Sequence, residues 1–209
     1  MIDTIIDVSH HNGSTLDFHA AAGAGVVAVI HKATQGTGAP DPMWSVNRPK
    51  ILAENLLFGS YHFGDGSDGA SQAQHFLNVV GPNPGELLCL DFEQNTAGSS
   101  MTIEEARAFV TTVNHAIGKW PVLYSGHYLK DLLVRTPDPV LSNCPLWLAQ
   151  YGPTAVLPVG WKTWTLWQFS DGGVPTPAPP AVPGVGHCDR DRFNGDAAAL
   201  ATFWASVSA

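Results

Sequence analysis

Apolar positions along the chain fall into two rhythms. Eight short runs are almost continuously apolar and rich in β-formers: residues 4–9, 26–33, 57–63, 87–93, 121–125, 146–151, 163–169 and 187–193. Most lack the in–out alternation of a half-exposed sheet, which is the pattern of parallel strands covered on both faces. Segments long enough for crossover helices separate the first five. The clearest helical rhythm follows Ser100, where Ile103, Ala106, Val110, Val113 and Ile117 recur at three-and-four spacing. Thr102 and Glu105 form a capping box ahead of it, and Gly118 supplies the stop. Weaker helical patterns cover 44–55 and 68–80. The tail from Asp196 sets Leu200, Phe203, Trp204 and Val207 on one face, as a helix that docks to close the fold.

The last three runs break this rhythm. Between 151 and 163, and between 169 and 187, the chain is rich in Pro and Gly and has no helical pattern. The stretch 174–184, VPTPAPPAVPG, has the composition of an interdomain linker. Too little chain follows it to form a domain, so it is expected to be a rigid surface loop. The pattern predicts an α/β fold: an irregular, TIM-barrel-like β/α barrel, with eight strands, fewer helices, and no crossover helices among the last three strands. Residues 1–209 would then form a single domain. An open doubly wound sheet is the alternative.

Composition narrows the function. The chain is 44% hydrophobic and only 13% charged, a globular balance in which each carboxylate within an apolar run calls for an explanation. A net charge of −8 with scattered Lys and Arg argues against nucleic acid as a partner, because binding it takes a basic stripe. No run approaches the roughly 20 apolar residues of a membrane span. The opening MIDTIIDVSHH has neither the basic nor the apolar region of a signal peptide. Cys89, Cys144 and Cys188 have neither disulfide-scaffold nor metal-site spacing. Cys89 is expected to be a buried free thiol, with a Cys144–Cys188 bridge left open.

The candidate chemistry lies in LLCLDFE. Alternation along a strand sets Leu87, Cys89, Asp91 and Glu93 on one face, and Leu88, Leu90 and Phe92 on the other. Two carboxylates therefore emerge side by side at the C-terminal end of a buried strand, where barrel enzymes gather their catalytic groups. The plain alternative is that both cap the strand end or pair with cations, but no Lys or Arg stands beside them in the run. Paired carboxylates suit glycosidic cleavage, which takes one protonated acid and one ionised partner. Their mutual repulsion raises one pKa, as an acid catalyst requires. Their separation along the backbone, about 6.6 Å, does not distinguish a retaining from an inverting mechanism.

Other strand ends add polar groups. Asp7 ends the first run, Asp189 and Asp191 end the last, and barrel closure would make Asp7 and Asp189 neighbours. Asp191, flanked by Arg190 and Arg192, reads as solvated or Arg-paired. Tyr61, Phe63, Tyr124, Trp147, Tyr151 and Trp167 gather at the same ends, where aromatic faces suit sugar rings, although each taken singly is also a core candidate. Gln168 is a candidate hydrogen-bonding contact. His10, His31, His62, His127 and His187 fall near strand ends, but no H-E-x-x-H spacing exists, and His10 and His11 would point to opposite faces of a strand. No metal or other cofactor is expected. A serine hydrolase is disfavoured by the lack of a G-x-S-x-G elbow.

At these residues the chain resembles glycoside hydrolase family 25, the lysozymes of phage endolysins and of bacterial and fungal muramidases. The resemblance rests on IIDVSHHNG (5–13), HKATQG (31–36), GSYHF (59–63), LDFE (90–93), LYSG (123–126), LWLAQY (146–151), LWQFS (166–170) and DRDRFNG (189–195), in order. It implies an irregular eight-stranded barrel that hydrolyses the β-1,4 bond between N-acetylmuramic acid and N-acetylglucosamine. By the family's motifs Glu93 matches the general acid, and Asp91 the carboxylate that assists the substrate's own N-acetyl group. Asp7 and Asp189 match further acids of the cleft, and Tyr61, Tyr124 and Trp147 match positions near the sugar. Two departures stand out: Gln35 where many members have Glu, and Asp189-Arg190-Asp191 where the motif usually reads D-x-N. The implied partner is bacterial peptidoglycan, met as a monomer, outside the cell or in its wall, after secretion or after release of a phage-type enzyme from the host cytoplasm. The rivals are a chitinase-like hydrolase and a non-catalytic glycan-binding module, although such a module has no reason to keep Asp7, Asp91, Glu93 and Asp189.

Overall fold

A computed structural model describes residues 1–208. Eight strands close into one barrel in sequence order: β1 (Ile2–Val8), β2 (Ala28–Gln35), β3 (Leu57–Phe63), β4 (Glu86–Asp91), β5 (Val122–Ser125), β6 (Leu146–Ala149), β7 (Leu166–Ser170) and β8 (Asp189–Phe193). Helices follow the first five: α1 (Phe18–Gly23), α2 (Trp44–Ala53), α3 (Gly69–Val80), α4 (Ile103–Ile117) and α5 (His127–Leu133). No α-helix lies between β5's helix and β8, and α6 (Ala197–Val207) follows the last strand. The irregular barrel is therefore the fold, and the open sheet is excluded by the pairing of β1 with β8.

The last strand differs from the expected parallel array. β1 to β7 pair in parallel, whereas β8 runs antiparallel to both β7 and β1. The cause is its connection. A parallel strand needs a crossover that carries the chain back to the far end of the sheet. Residues 171–188 have no such helix and return directly from the rim where β7 ends. That segment is ordered against the barrel, as expected of a surface loop: Val182 and Cys188 are buried, and Asp17 N–H donates to the Gly184 carbonyl at 2.9 Å.

Alternation sorts the core. Leu87 and Cys89 of β4 point into the barrel with Ile5, Ile30, Val122 and Leu166. Leu88, Leu90 and Phe92 point outward under α3 and α4. The α4 capping box forms as read, with Glu105 N–H donating to Thr102 Oγ1 at 3.2 Å and Thr102 N–H to Glu105 Oε2 at 2.7 Å. Gly118 ends the helix at φ 72°. A close approach of α3 to α4 depends on Gly69, where a Cβ would lie 2.0 Å from the Glu105 carbonyl oxygen. All three cysteines are free, and Cys144 and Cys188 belong to different outer clusters, which removes that bridge.

α6 closes the barrel floor. Leu200, Trp204 and Val207 join the interior cluster, Phe203 stacks on Phe193, and Trp204 Nε1–H donates to the Phe58 carbonyl at 3.0 Å. Trp204→Ala removes both the fill and the donor of a side chain 1% exposed. It should cost about 3–5 kcal/mol, seen as a lower urea midpoint at unchanged m-value.

Candidate active site

The opposite end of the barrel is open and acidic. Asp7 is buried near the end of β1, Asp91 is the last residue of β4, and Glu93 follows two residues later, half-buried. Because β8 is reversed, Asp189 opens that strand instead of ending it, yet it still reaches this rim, directly opposite Asp7 in register. One pocket of about 180 Å³ brings the four carboxylates together. Tyr61, Tyr124, Trp147 and Gln168 line it as well, so all eight candidate residues meet there, joined by Tyr151. A wider groove of about 430 Å³ continues from it past Glu93, Tyr124 and Tyr151 toward His127, Tyr128 and Gln150.

Hydrogen bonds order one wall. Tyr124 Oη–H donates to Gln168 Oε1 at 2.8 Å, and Gln168 Nε2–H donates to Asp7 Oδ2 at 2.8 Å. The Tyr124 ring meets Trp147 edge-on, with centroids 4.8 Å apart. Trp147 in turn donates Nε1–H to Asp191 Oδ1 at 2.7 Å.

Few cations offset these acids. Burial, then repulsion from Glu93, pushes the Asp91 carboxyl well above the usual carboxylate range. Burial also raises Glu93, against a counteracting pull from Lys32. Asp189 is pushed up to about 6 by burial and by Asp171 and Glu93. The cleft is thus built to retain protons at pH values where free carboxyls have lost them.

Three readings of the sequence need correction. Asp191 is neither solvated nor Arg-paired; it has no exposed surface and faces the barrel interior. Arg190 instead donates to the Pro180 carbonyl, and Arg192 lies over the Phe169 ring at 3.9 Å. The same two-residue alternation used for Asp91 and Glu93 puts Asp191 on Asp189's face. Second, His10 and His11 do not lie on a strand. They open a 3-10 turn (His10–Asn12), with ring centroids 3.9 Å apart. Third, Lys32 is the cation that LLCLDFE lacks. It comes from β2, donates Nζ–H to Gln35 Oε1 at 2.8 Å and sits 4.9 Å from the Phe63 ring centroid. Only the strand order reveals it.

Phe63 and Trp167 stay outside the pocket lining; Trp167 packs on the outer face of β7 and donates to the Gln150 carbonyl. The other histidines serve local structure or stay on the rim. His31 takes a bond from Asn47, His62 bridges Thr34 and Gln72, His187 contacts the Gly172 carbonyl, and His127 opens α5. Among the described residues no group of three or more His, Cys, Asp or Glu side chains is arranged so that it could hold a metal ion.

An eight-stranded barrel with paired carboxylates in an aromatic-walled cleft at its strand ends has the arrangement that glycosidic cleavage requires. The family model described as Glycosyl hydrolases family 25 matches residues 6–176. The chain belongs to that family and is a lysozyme-like, muramidase-type enzyme. It is similar to Lysozyme M1 of Streptomyces globisporus, 30% identical over 217 residues, covering 93% of this chain and 69% of that protein. It is 28% identical to an autolytic lysozyme of Clostridium acetobutylicum, of which it spans 55%. Among solved structures, a bacterial lysozyme from Streptomyces coelicolor superposes with a TM-score of 0.84 at 28% identity, over 97% of each chain. A muramidase from Acremonium alcalophilum gives 0.82 at 29% identity, over 96% of this chain and 97% of that one. The family match ends before β8, so Asp189 and Asp191 lie beyond it.

Proposed function

We propose that residues 1–209 form a single catalytic domain that hydrolyses the β-1,4 bond between N-acetylmuramic acid and N-acetylglucosamine in bacterial peptidoglycan, with no cofactor. The observation that carries this reading is that Asp91 and Glu93 share one open pocket and, among the described residues, neither is in a salt bridge, so burial and repulsion keep a proton on the pair. Glu93 is the more accessible of the two and acts as general acid. It gives its proton to the leaving glycosidic oxygen as the substrate's acetamido oxygen closes on the anomeric carbon. Asp91 has a buried Oδ1 with no hydrogen-bond partner, and its carboxylate orients the acetamido N–H and balances the positive charge that develops. Water then opens the cyclic intermediate, and Glu93 recovers a proton from it.

Asp7 and Asp189 complete the acidic rim. Tyr61, Tyr124, Trp147 and Gln168 hold the sugar, with aromatic faces toward ring C–H groups and the amide toward hydroxyls. The enzyme works as a monomer, outside the cell or in its wall, where its polymer lies; similarity to an autolytic lysozyme supports that location.

Incubation with purified peptidoglycan, borohydride reduction and mass spectrometry of the new ends test the reading. Reduced muramic acid ends are expected, and they should vanish in Glu93→Gln. Reduced glucosamine ends would assign a different bond, and no new ends from any wall type would overturn the proposal.

A further inference from the structure

Asp191 is a carboxyl with no exposed surface and no task in the scheme above. Its Oδ1 accepts the Trp147 indole N–H at 2.7 Å. If Asp191 were ionised, its Oδ2 would be buried with nothing to accept from, a full desolvation penalty with no bond to offset it. Strand pairing sets Ile5 opposite Asp191 and Asp7 two residues further along β1 on the same face, where the two carboxyls come into hydrogen-bonding contact. Two carboxyls can hydrogen-bond only when one of them holds a proton.

The surroundings favour keeping it. Asp7 approaches Asp191 from β1, Trp147 from β6 and Gln168 from β7, while Arg190 and Arg192 flank it on β8, with Asp189 two residues away and Cys188 just before that. Arg190 is turned toward the Pro180 carbonyl, and Arg192 lies over the Phe169 ring. Among the described residues no salt bridge reaches Asp7, Asp189 or Asp191.

We propose that Asp191 is a positioning residue: it shares a single proton with Asp7 and, between that bridge and the Trp147 indole, fixes Asp7 and the Gln168–Tyr124 chain along the cleft wall. This rests on the pocket being the active one. With the proton in place, Asp7 Oδ2 stays free to accept from Gln168. Without it, two facing carboxylates repel, and the chain from Asp7 to Tyr124 loses its anchor. Burial pushes Asp191 up to about 8 and Asp7 well above its usual range, so the loss belongs to the pair and falls on the alkaline side of neutrality.

Asp191→Asn keeps the shape and removes the shared proton, because its amide donates to Asp7 and accepts from Trp147. Two readouts are measured from acid to alkaline pH: peptidoglycan turnover and Tm. Turnover by the parent should fall with an apparent pKa near 8, to about a tenth of its plateau one unit higher. The variant should match the parent in acid and lack that added fall, keeping only the loss that deprotonation of Glu93 causes in both. Raised folded-state carboxyl pKa values confer stability that is full in acid and lost as pH rises. The Tm advantage of the variant should therefore widen from about pH 4 to about pH 8 and stay constant above.

Superimposable turnover profiles together with a pH-independent Tm difference would overturn the proposal. Tm needs no substrate. Inactivity on every wall type would thus count against the proposed function, while the Tm comparison still decides the shared proton. Should Asp191→Asn fail to fold, Asp7→Asn removes the other half of the pair and must show the same widening Tm gap.

Discussion

Glu93→Gln should hydrolyse peptidoglycan about 10²–10⁴-fold more slowly than the parent, with no loss of Tm. The amide fills the same space and still reaches a glycosidic oxygen, but it has no proton to transfer. Glu93 lies beyond the end of β4 and forms none of the side-chain hydrogen bonds that hold the rim, so nothing structural depends on its charge. Its carboxyl is raised by burial, which makes the ionised form a cost to the fold at neutral pH. Turnover and Tm measured on one preparation separate the roles. A variant that keeps parent-like turnover removes Glu93 from the reaction, and one that loses both activity and Tm makes it a structural residue.

Asp91→Asn is the second large effect, a fall of about 10²-fold or more in turnover accompanied by a higher Tm at neutral pH. Asp91 is buried beside Glu93 and Asp189, and its raised pKa means that stability is lost as pH rises above the ordinary carboxylate range. A neutral amide relieves that repulsion, so the gain in Tm should shrink to nothing in acid, where the parent carboxyl is protonated too. Activity moves the other way, because an amide cannot balance positive charge at the anomeric carbon. A fall in activity with a rise in stability is the signature of a residue kept for chemistry. Unchanged turnover would leave Glu93 acting without a charged partner.

Much of this arrangement was legible in the sequence because strand alternation is a local rule. The period of two in LLCLDFE sends Leu87 and Cys89 inward and Leu88 and Leu90 outward, as the structure has them. Thr102, Glu105 and Gly118 mark both ends of α4 through contacts within a turn of the chain. The Asp7–Asp189 neighbourhood followed from closure alone. What escaped depends on direction and on distant partners. Nothing in DRDRF states whether β8 runs up or down; the missing crossover decides it. The two arginines beside Asp191 suggested an ion pair, whereas alternation turns them outward and the acid inward. Lys32 lies far along the chain from Asp91, on a strand separated from β4 by β3, so no reading of the carboxylate run alone could supply it.

The reversed closing strand also sets when the cleft comes into being. β8 supplies Asp189 and the partner of Trp147, and it pairs with β1 across nearly the whole length of the chain. A nascent chain that has emerged only as far as β7 already carries Asp7, Asp91 and Glu93, yet its β1 and β7 remain open edges and its ring of acids is unfinished. Emergence of β8 and assembly of the acidic rim are therefore one event, and a chain that stops before β8 lacks the finished rim.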